Sequence, residues 1–292
     1  MTEHRAGRRW RTLLAWAGFG VLVLCVLAVA AMYLRGGRTS IGVVIAAALL
    51  LSQAPLLDHV VADPRPAAED GPTITVATLN TAWAGPTDAE LVDLADGADV
   101  LALQEWDPGR TDGLGRALGP QWRLAASDHD DYIGTDVDVW VRSPWTVASS
   151  TPLAGRQPGS ALRLRRGGTE VTVVGTRLQN PAFLAADRWG EGLDSLRLAA
   201  EGSDGPVIVL GDLNAPPSAV AYRRWVKRTG LRDCTAQLGS GFPGTWGRTR
   251  GAAYGPVPID HVTTRGAACT ALEVTRERGS DHRALTATVA LP

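Results

Sequence analysis

The sequence predicts an α/β domain in which sheets pack against one another between flanking helices, carried behind an N-terminal membrane region. Three observations predict it. From Thr73 onward short β-rich runs outnumber helical stretches, which favours packed sheets over a helical bundle. Some runs, such as Val207 to Leu210, are apolar at every position, as strands covered on both faces are. And the first 62 residues differ in kind from everything after them.

Within those 62 residues, Thr12 to Leu34 is an almost unbroken apolar run, long enough for a helix to cross a hydrocarbon core of about 30 Å. Arg5, Arg8, Arg9 and Arg11 precede it, which predicts a cytoplasmic N-terminal end and an uncleaved anchor. The competing reading is a secretory signal, since Ala28-Val29-Ala30 is a small-x-small string. A second run, Ile41 to Leu57, is broken by Ser52, Gln53 and Pro55, and either spans, re-enters or lies at the interface. One span leaves the rest of the chain outside, and two return it to the cytoplasm. Asp63 to Pro72, with three prolines and three acids, reads as a linker.

The globular domain is expected over residues 73–292. Strands are predicted at Thr73–Asn80, Val100–Gln104, Asp136–Val141, Ala161–Arg165, Val171–Thr176, Val207–Leu210, Ile259–Thr263 and Ala284–Leu291. Helices are predicted at Thr87–Asp96, Ala185–Glu201 and Ser218–Thr229, the last opening on Pro216-Pro217-Ser218.

Composition excludes little: 45% apolar and 20% charged residues are ordinary for a folded protein. Seven Arg and five acids precede Thr73, leaving 22 basic and 25 acidic residues, a net charge of -3, so there is no global basic footprint for long nucleic acid. The clusters Arg163/Arg165/Arg166 and Arg223/Arg224/Lys227/Arg228 read as solvated faces of a strand and a helix. Cys234 and Cys269 are the two cysteines of the globular part, and a disulfide between them would place the domain outside the reducing cytosol.

Five polar strings stand at the ends of apolar runs: Thr78-Leu79-Asn80, Gln104-Glu105, Gly211-Asp212-Leu213-Asn214, Ile259-Asp260-His261 and Ser280-Asp281-His282. Asp212 and Asn214, two residues apart, can face one cleft, where Asp takes a proton from water and Asn holds that water without titrating. Asp281 is suited to Mg²⁺, and His282 beside it to a phosphoryl group. Asp260 is placed to accept a proton from the His282 ring, while His261 points the other way and reads as structural. A carboxylate at a buried strand end needs a cation or several donors, so Glu105 is expected to share a metal with Asp281 near Asn80. Trp83, Trp106 and Trp246 lie beside these strings, with core packing the expected role for most.

Taken as a set and in this order, the strings resemble the endonuclease/exonuclease/phosphatase superfamily, metal-dependent phosphodiesterases related to pancreatic deoxyribonuclease, here in a membrane-anchored form. The resemblance covers residues 73–292. It implies a four-layer α/β/β/α sandwich of two mixed sheets and a Mg²⁺ or Mn²⁺ cofactor, the sandwich being preceded by the one or two transmembrane helices that the apolar runs predict. It gives Asn80, Glu105 and Asp281 to the metal, Asp212 and Asn214 to water activation and orientation, and the His282/Asp260 dyad to the developing phosphorane charge. Nucleic acid or phospholipid is the implied phosphodiester substrate, and the lipid bilayer the partner of the N-terminal segment. The chain departs from the pattern at Arg177, where a histidine is common; Arg177 and Asn180 can hold a phosphate, but arginine cannot shuttle a proton near neutral pH. Pro258 departs from a frequent arginine. The alternative that Arg177 leaves open is a weakly active or inactive sensor that binds a phosphorylated ligand.

Overall fold

The computed structural model describes residues 59–62, 71–83, 85–129, 136–181, 186–247 and 257–292; both apolar runs and most of the linker lie outside them. Among the described residues no helix is long and apolar enough to cross a membrane. The strands are β1 (Thr73–Asn80), β2 (Val100–Gln104), β3 (Trp122–Asp128), β4 (Val137–Arg142), β5 (Thr146–Pro152) and β6 (Gly159–Arg166). They continue as β7 (Thr169–Arg177), β8 (Val207–Asp212), β9 (Arg232–Asp233), β10 (Asp260–Arg265), β11 (Ala268–Arg276) and β12 (Arg283–Ala290). The helices are α1 (Asp88–Ala95), α2 (Thr111–Leu118), α3 (Ala186–Glu201), α4 (Val220–Thr229) and α5 (Cys234–Leu238).

The strands form two mixed sheets of six, ordered β11-β12-β1-β2-β4-β3 and β5-β6-β7-β8-β10-β9. Each holds one parallel pair, β1/β2 and β7/β8, joined through α1 and α3 respectively, and every other pairing is antiparallel. Side-chain alternation decides the layering. In β8, Ile208 and Leu210 join Val76, Ala102, Val139, Leu162, Val173 and Leu285 in the core between the sheets. Val207 and Val209 face the other way, onto Leu193 and Leu196 of α3 and Tyr222 and Trp225 of α4. β2 splits likewise, with Leu101 and Leu103 packed on Leu91 and Leu94 of α1 and Leu114 of α2. Helices thus cover both outer faces, which is why the central strands read as unbroken apolar runs.

Predicted elements that carry this two-sided burial match to within a residue or two. The helix expected at Thr87–Asp96 is α1 with its two caps, Thr87 and Glu90 forming a capping box. The start of α4 differs: its N-cap is Ala219 without a side-chain bond, because Pro216 to Ala219 closes as a turn. α2, β3, β5, β9, α5 and β11 were not expected. α2 contains Gly113 and Gly115, poor helix formers. A Cβ at Gly115 would come within 3.1 Å of the Trp140 ring, so a small residue is required there. β5 and β11 are largely exposed and lack clean apolar alternation. Cys234 and Cys269 are disulfide-bonded, with Cα atoms 5.4 Å apart, tying α5 to β11. Arg163 and Arg165 pair with Glu170 on the exposed sheet surface, as expected of a solvated face.

Candidate active site

The alternation that builds the core also builds the site. Counting by twos from the inward residues Val76, Val173, Leu210 and Val262 arrives at Asn80, Arg177, Asp212 and Asp260, so all four emerge between the sheets at one edge. Register aligns three of them. Arg177 pairs with Asp212 across β7/β8, and Asp212 with Asp260 across β8/β10. Gly211, at φ 140°, allows this edge to close, since a Cβ there would run into the Thr176 carbonyl.

Asp212 is the centre of the arrangement and is 1% exposed. Its Oδ1 accepts the Asn214 backbone N–H at 2.9 Å. Its Oδ2 accepts Asn80 Nδ2 at 3.0 Å and Asn214 Nδ2 at 3.2 Å. The Asn214 carboxamide also donates to the Leu178 carbonyl at 2.8 Å, fixing the turn in which Asn214 itself stands at φ 47°. Asn80 Nδ2 donates in addition to Glu105 Oε1 at 3.0 Å, linking the two sheets through one amide. Glu105 also has positive φ, 47°, so two of the site's polar residues are held in sparsely populated backbone.

His282 closes the opposite side. Its Nδ1 lies 2.9 Å from Asp260 Oδ2, and its backbone N–H donates to Ser280 Oγ at 2.9 Å. Ser280 Oγ donates to the Asn80 carbonyl at 2.6 Å, so the loop before β12 is pinned to β1. Asp260 is placed from the backbone, with Ile259 and Asp260 N–H groups both donating to Thr245 Oγ1, at 3.0 and 3.1 Å. Asp260 Oδ1 is buried and has no hydrogen-bond partner.

The electrostatics divide the groups by task. Burial, then the Asp260 charge, pushes Asp212 up to about 6, while His282 and Arg177 hold it from going higher. Burial depresses His282, but the Asp260 charge and hydrogen bond, with Asp212 and Asp281, outweigh it and lift the imidazole to about 9. At neutral pH the centre therefore holds a base in its ionised form beside an imidazolium, the pairing general acid–base work requires.

The sequence placed Asn80, Glu105, Arg177, Asp212, Asn214, Asp260 and His282 together, and the structure brings all seven to this edge. Asn180 stands three residues past Arg177 on the loop leaving β7. Asp281 adjoins His282, and its Oδ2 accepts Trp246 Nε1 at 3.1 Å. Trp106 is fully buried as expected, but Trp83 and Trp246 are 43% and 37% exposed, Trp83 on a turn and Trp246 on an isolated bridge to Val257 and His282, neither within a sheet strand. Thr245 and Ser280 gained no role from the sequence, since hydroxyls in loops carry no pattern. His261 does point away from the cleft. It lies between Asp233 Oδ2 at 2.6 Å and the Ala215 carbonyl at 2.7 Å, with Tyr222 Oη donating to the same Asp233 oxygen.

Two carboxylates and an imidazole, from Asp212, Asp260 and His282, offer ligand atoms within 4.8 Å of one another, the one such trio among the described residues. The donor set is oxygen-rich and the Asp260 Oδ1 atom is unsatisfied, which suits a hard divalent cation. A protonated His282 is not a ligand, however, so within this trio the carboxylates are the available donors. Glu105 and Asp281 fall outside it, and Glu105 Oε1 is paired with Arg177 Nη2 at 2.5 Å.

A family model described as Endonuclease/Exonuclease/phosphatase family matches residues 77–282. Solved structures share the fold at low identity. An endonuclease/exonuclease/phosphatase from Bacteroides vulgatus is 14% identical, with a TM-score of 0.64 over 76% of this chain and 100% of that one. The Bacteroides thetaiotaomicron mannosyl-6-phosphatase Bt3783 is 14% identical, with a TM-score of 0.59 over 75% and 100%. D. rerio TDP2 complexed with a single-strand DNA product is 17% identical, with a TM-score of 0.59 over 74% and 98%. No curated protein is matched by sequence.

Proposed function

Because the chain belongs to the endonuclease/exonuclease/phosphatase family, we propose that it is a membrane-anchored hydrolase of phosphate esters that uses a divalent cation, Mg²⁺ or Mn²⁺. The observation that carries this reading is the register-aligned row Arg177–Asp212–Asp260 with Asn80, Glu105 and His282 around it. Asp212 takes a proton from water that Asn214 orients, its pKa of about 6 leaving it ionised at neutral pH. His282, kept as imidazolium by Asp260, donates to the phosphoryl oxygens as charge develops on them. Glu105, Asp281 and Asn80, beside the Asp212/Asp260 carboxylates, would hold the cation, which would supply Lewis-acid neutralisation of phosphate charge. Arg177 binds phosphate in place of a proton-shuttling histidine.

The chain emerging from the second apolar run supports a bilayer setting. His59 Nδ1 bonds Thr235 Oγ1 at 2.7 Å, and its carbonyl accepts the Gly241 N–H at 2.7 Å, so residues 59–62 are seated on the domain. The loop that receives them leads through Phe242, whose ring is 5.3 Å from His59, to Trp246 at the cleft. Exposed Phe242, Trp246 and Trp83 are the side chains that favour a membrane interface. With the net charge of -3, they favour a phosphoester presented at a lipid surface over long DNA. The Cys234–Cys269 disulfide supports an extracytoplasmic domain.

The test is a substrate panel on the full chain in detergent: plasmid DNA, single-stranded DNA, RNA, mannose 6-phosphate and sphingomyelin vesicles, each with Mg²⁺ and with EDTA. EDTA-sensitive hydrolysis of a vesicle substrate is expected; preferred cleavage of DNA would overturn the lipid assignment, and no hydrolysis of any would favour the phospho-ligand sensor that the Arg177–Glu105 pair allows.

A further inference from the structure

Arg177 is held at the site's edge by a carboxylate of the chain itself. Its Nη2 lies 2.5 Å from Glu105 Oε1 and its Nε 3.8 Å from Asp212 Oδ2, with the Arg177 and Glu105 side chains only 14% and 17% exposed. The longer separation is outside hydrogen-bond range, and Nε is buried without a partner. Asn80 Nδ2 donates to the same two carboxylates. Glu105 is thus a strand-end carboxylate whose counter-charge is already in place, supplied by the chain itself.

A dication on the Glu105 carboxylate and a guanidinium on its Oε1 weaken one another. Both are positive, the site is largely screened from water, and each would have to desolvate beside the other. The guanidinium has a better partner available, because a phosphate offers two oxygens to parallel N–H groups, whereas Glu105 engages one nitrogen and leaves Nε unused.

We propose that Arg177 is a resident counter-ion that competes with the divalent cation for Glu105, and that a phosphate group relieves the competition by drawing the guanidinium away. Cation and phosphate then bind cooperatively: neither occupies the site well alone, and each strengthens the other by the same factor. The inference rests on the metal-dependent reading above and adds a condition to it, that the site loads its cation together with substrate. A chain carrying a neutral residue at position 177 would load the cation first.

The experiment is a Mn²⁺ titration followed by electron paramagnetic resonance, on the full chain in detergent, with and without inorganic phosphate. In the wild type, phosphate is expected to tighten Mn²⁺ binding by about tenfold or more, within the about 5- to 150-fold range usual for coupled sites. In Arg177→Gln, Mn²⁺ alone should bind about tenfold tighter than in the wild type, and the phosphate effect should nearly vanish. Arg177→Lys keeps the charge without the two-pronged geometry, so Mn²⁺ should stay weak while the phosphate effect shrinks. Glu105→Gln should remove the gain of Arg177→Gln, which locates the ion.

Unchanged or weaker Mn²⁺ binding in Arg177→Gln would overturn the proposal and leave Arg177 a structural brace, as would a phosphate effect that survives in that variant. Those results leave the metal-dependent reading standing. Absence of Mn²⁺ binding from wild type and variants, with or without phosphate, would defeat both.

Discussion

Replacing Asp260 by Asn should move the enzyme's working pH range by more than it lowers its peak. In the wild type His282 is held at about 9 mainly against burial, by the Asp260 charge and the 2.9 Å bond. Without that carboxylate, burial is opposed only by the charges of Asp212 and Asp281, and the pKa falls from about 9 toward its ordinary 6.5. A fall all the way to 6.5 would withdraw about 3 kcal/mol of stabilisation from the imidazolium. At pH 7.5 the imidazolium fraction, about 97% in the wild type, would drop to about 10% at that limit, a loss of up to roughly tenfold from protonation alone. The same substitution removes a charge that raises Asp212, so the acid limb near pH 6 also moves down. The assay is a profile of kcat/KM from pH 5 to 10 on bis(p-nitrophenyl) phosphate at saturating Mg²⁺. The expected bell has limbs near 6 and 9 in the wild type, and its basic limb in Asp260→Asn moves down from 9 toward 6.5. An unshifted basic limb with a uniform loss at every pH would refute the dyad.

Other outcomes follow from the same contacts. Asp212 is raised from 3.8 to about 6, so its ionised form opposes folding above pH 6, and this penalty disappears as pH falls below 3.8. Asp212→Asn should therefore be inactive yet more stable at pH 7.5, by at most about 3 kcal/mol, with the gain gone at pH 3.5 in urea titrations. His261→Leu leaves Asp233 buried with one counter-charge fewer and should cost about 3–5 kcal/mol in denaturant midpoint analysis. Reduction of Cys234–Cys269, which closes a span of 35 residues, should cost about 4 kcal/mol by the chain-entropy argument, read as a lowered Tm in dithiothreitol.

The fold was legible where burial is two-sided. β1, β2 and β8 announce themselves because inner and outer faces are both apolar, and the outer helices because their stripes match. β5 and β11 were not legible, being edge strands with little apolar burial, and α2 hides behind two glycines, of which Gly115 is explained by the Trp140 ring. The site was legible because strand periodicity sends Asn80, Asp212 and Asp260 to the same side, and carboxylates at the ends of apolar strands are rarely idle. What the sequence could not carry is the set of contacts made across the sheets. Thr245 anchoring Asp260, Ser280 tying His282 to β1 and Trp246 holding Asp281 all join residues far apart in the chain. Arg177 is the instructive case, read as a phosphate ligand from its position and found on Glu105, because a carboxylate 72 residues away is its nearest partner.

The central claim, that Asp212 at this sheet edge drives metal-dependent phosphoester hydrolysis, is tested most directly by one comparison: bis(p-nitrophenyl) phosphate turnover by the full chain and by Asp212→Ala, with Mg²⁺ and with EDTA. Turnover by the wild type is expected with Mg²⁺, lost in EDTA and about 10⁴-fold lower in the variant. Turnover by Asp212→Ala close to the wild-type rate, or turnover indifferent to EDTA, would contradict it.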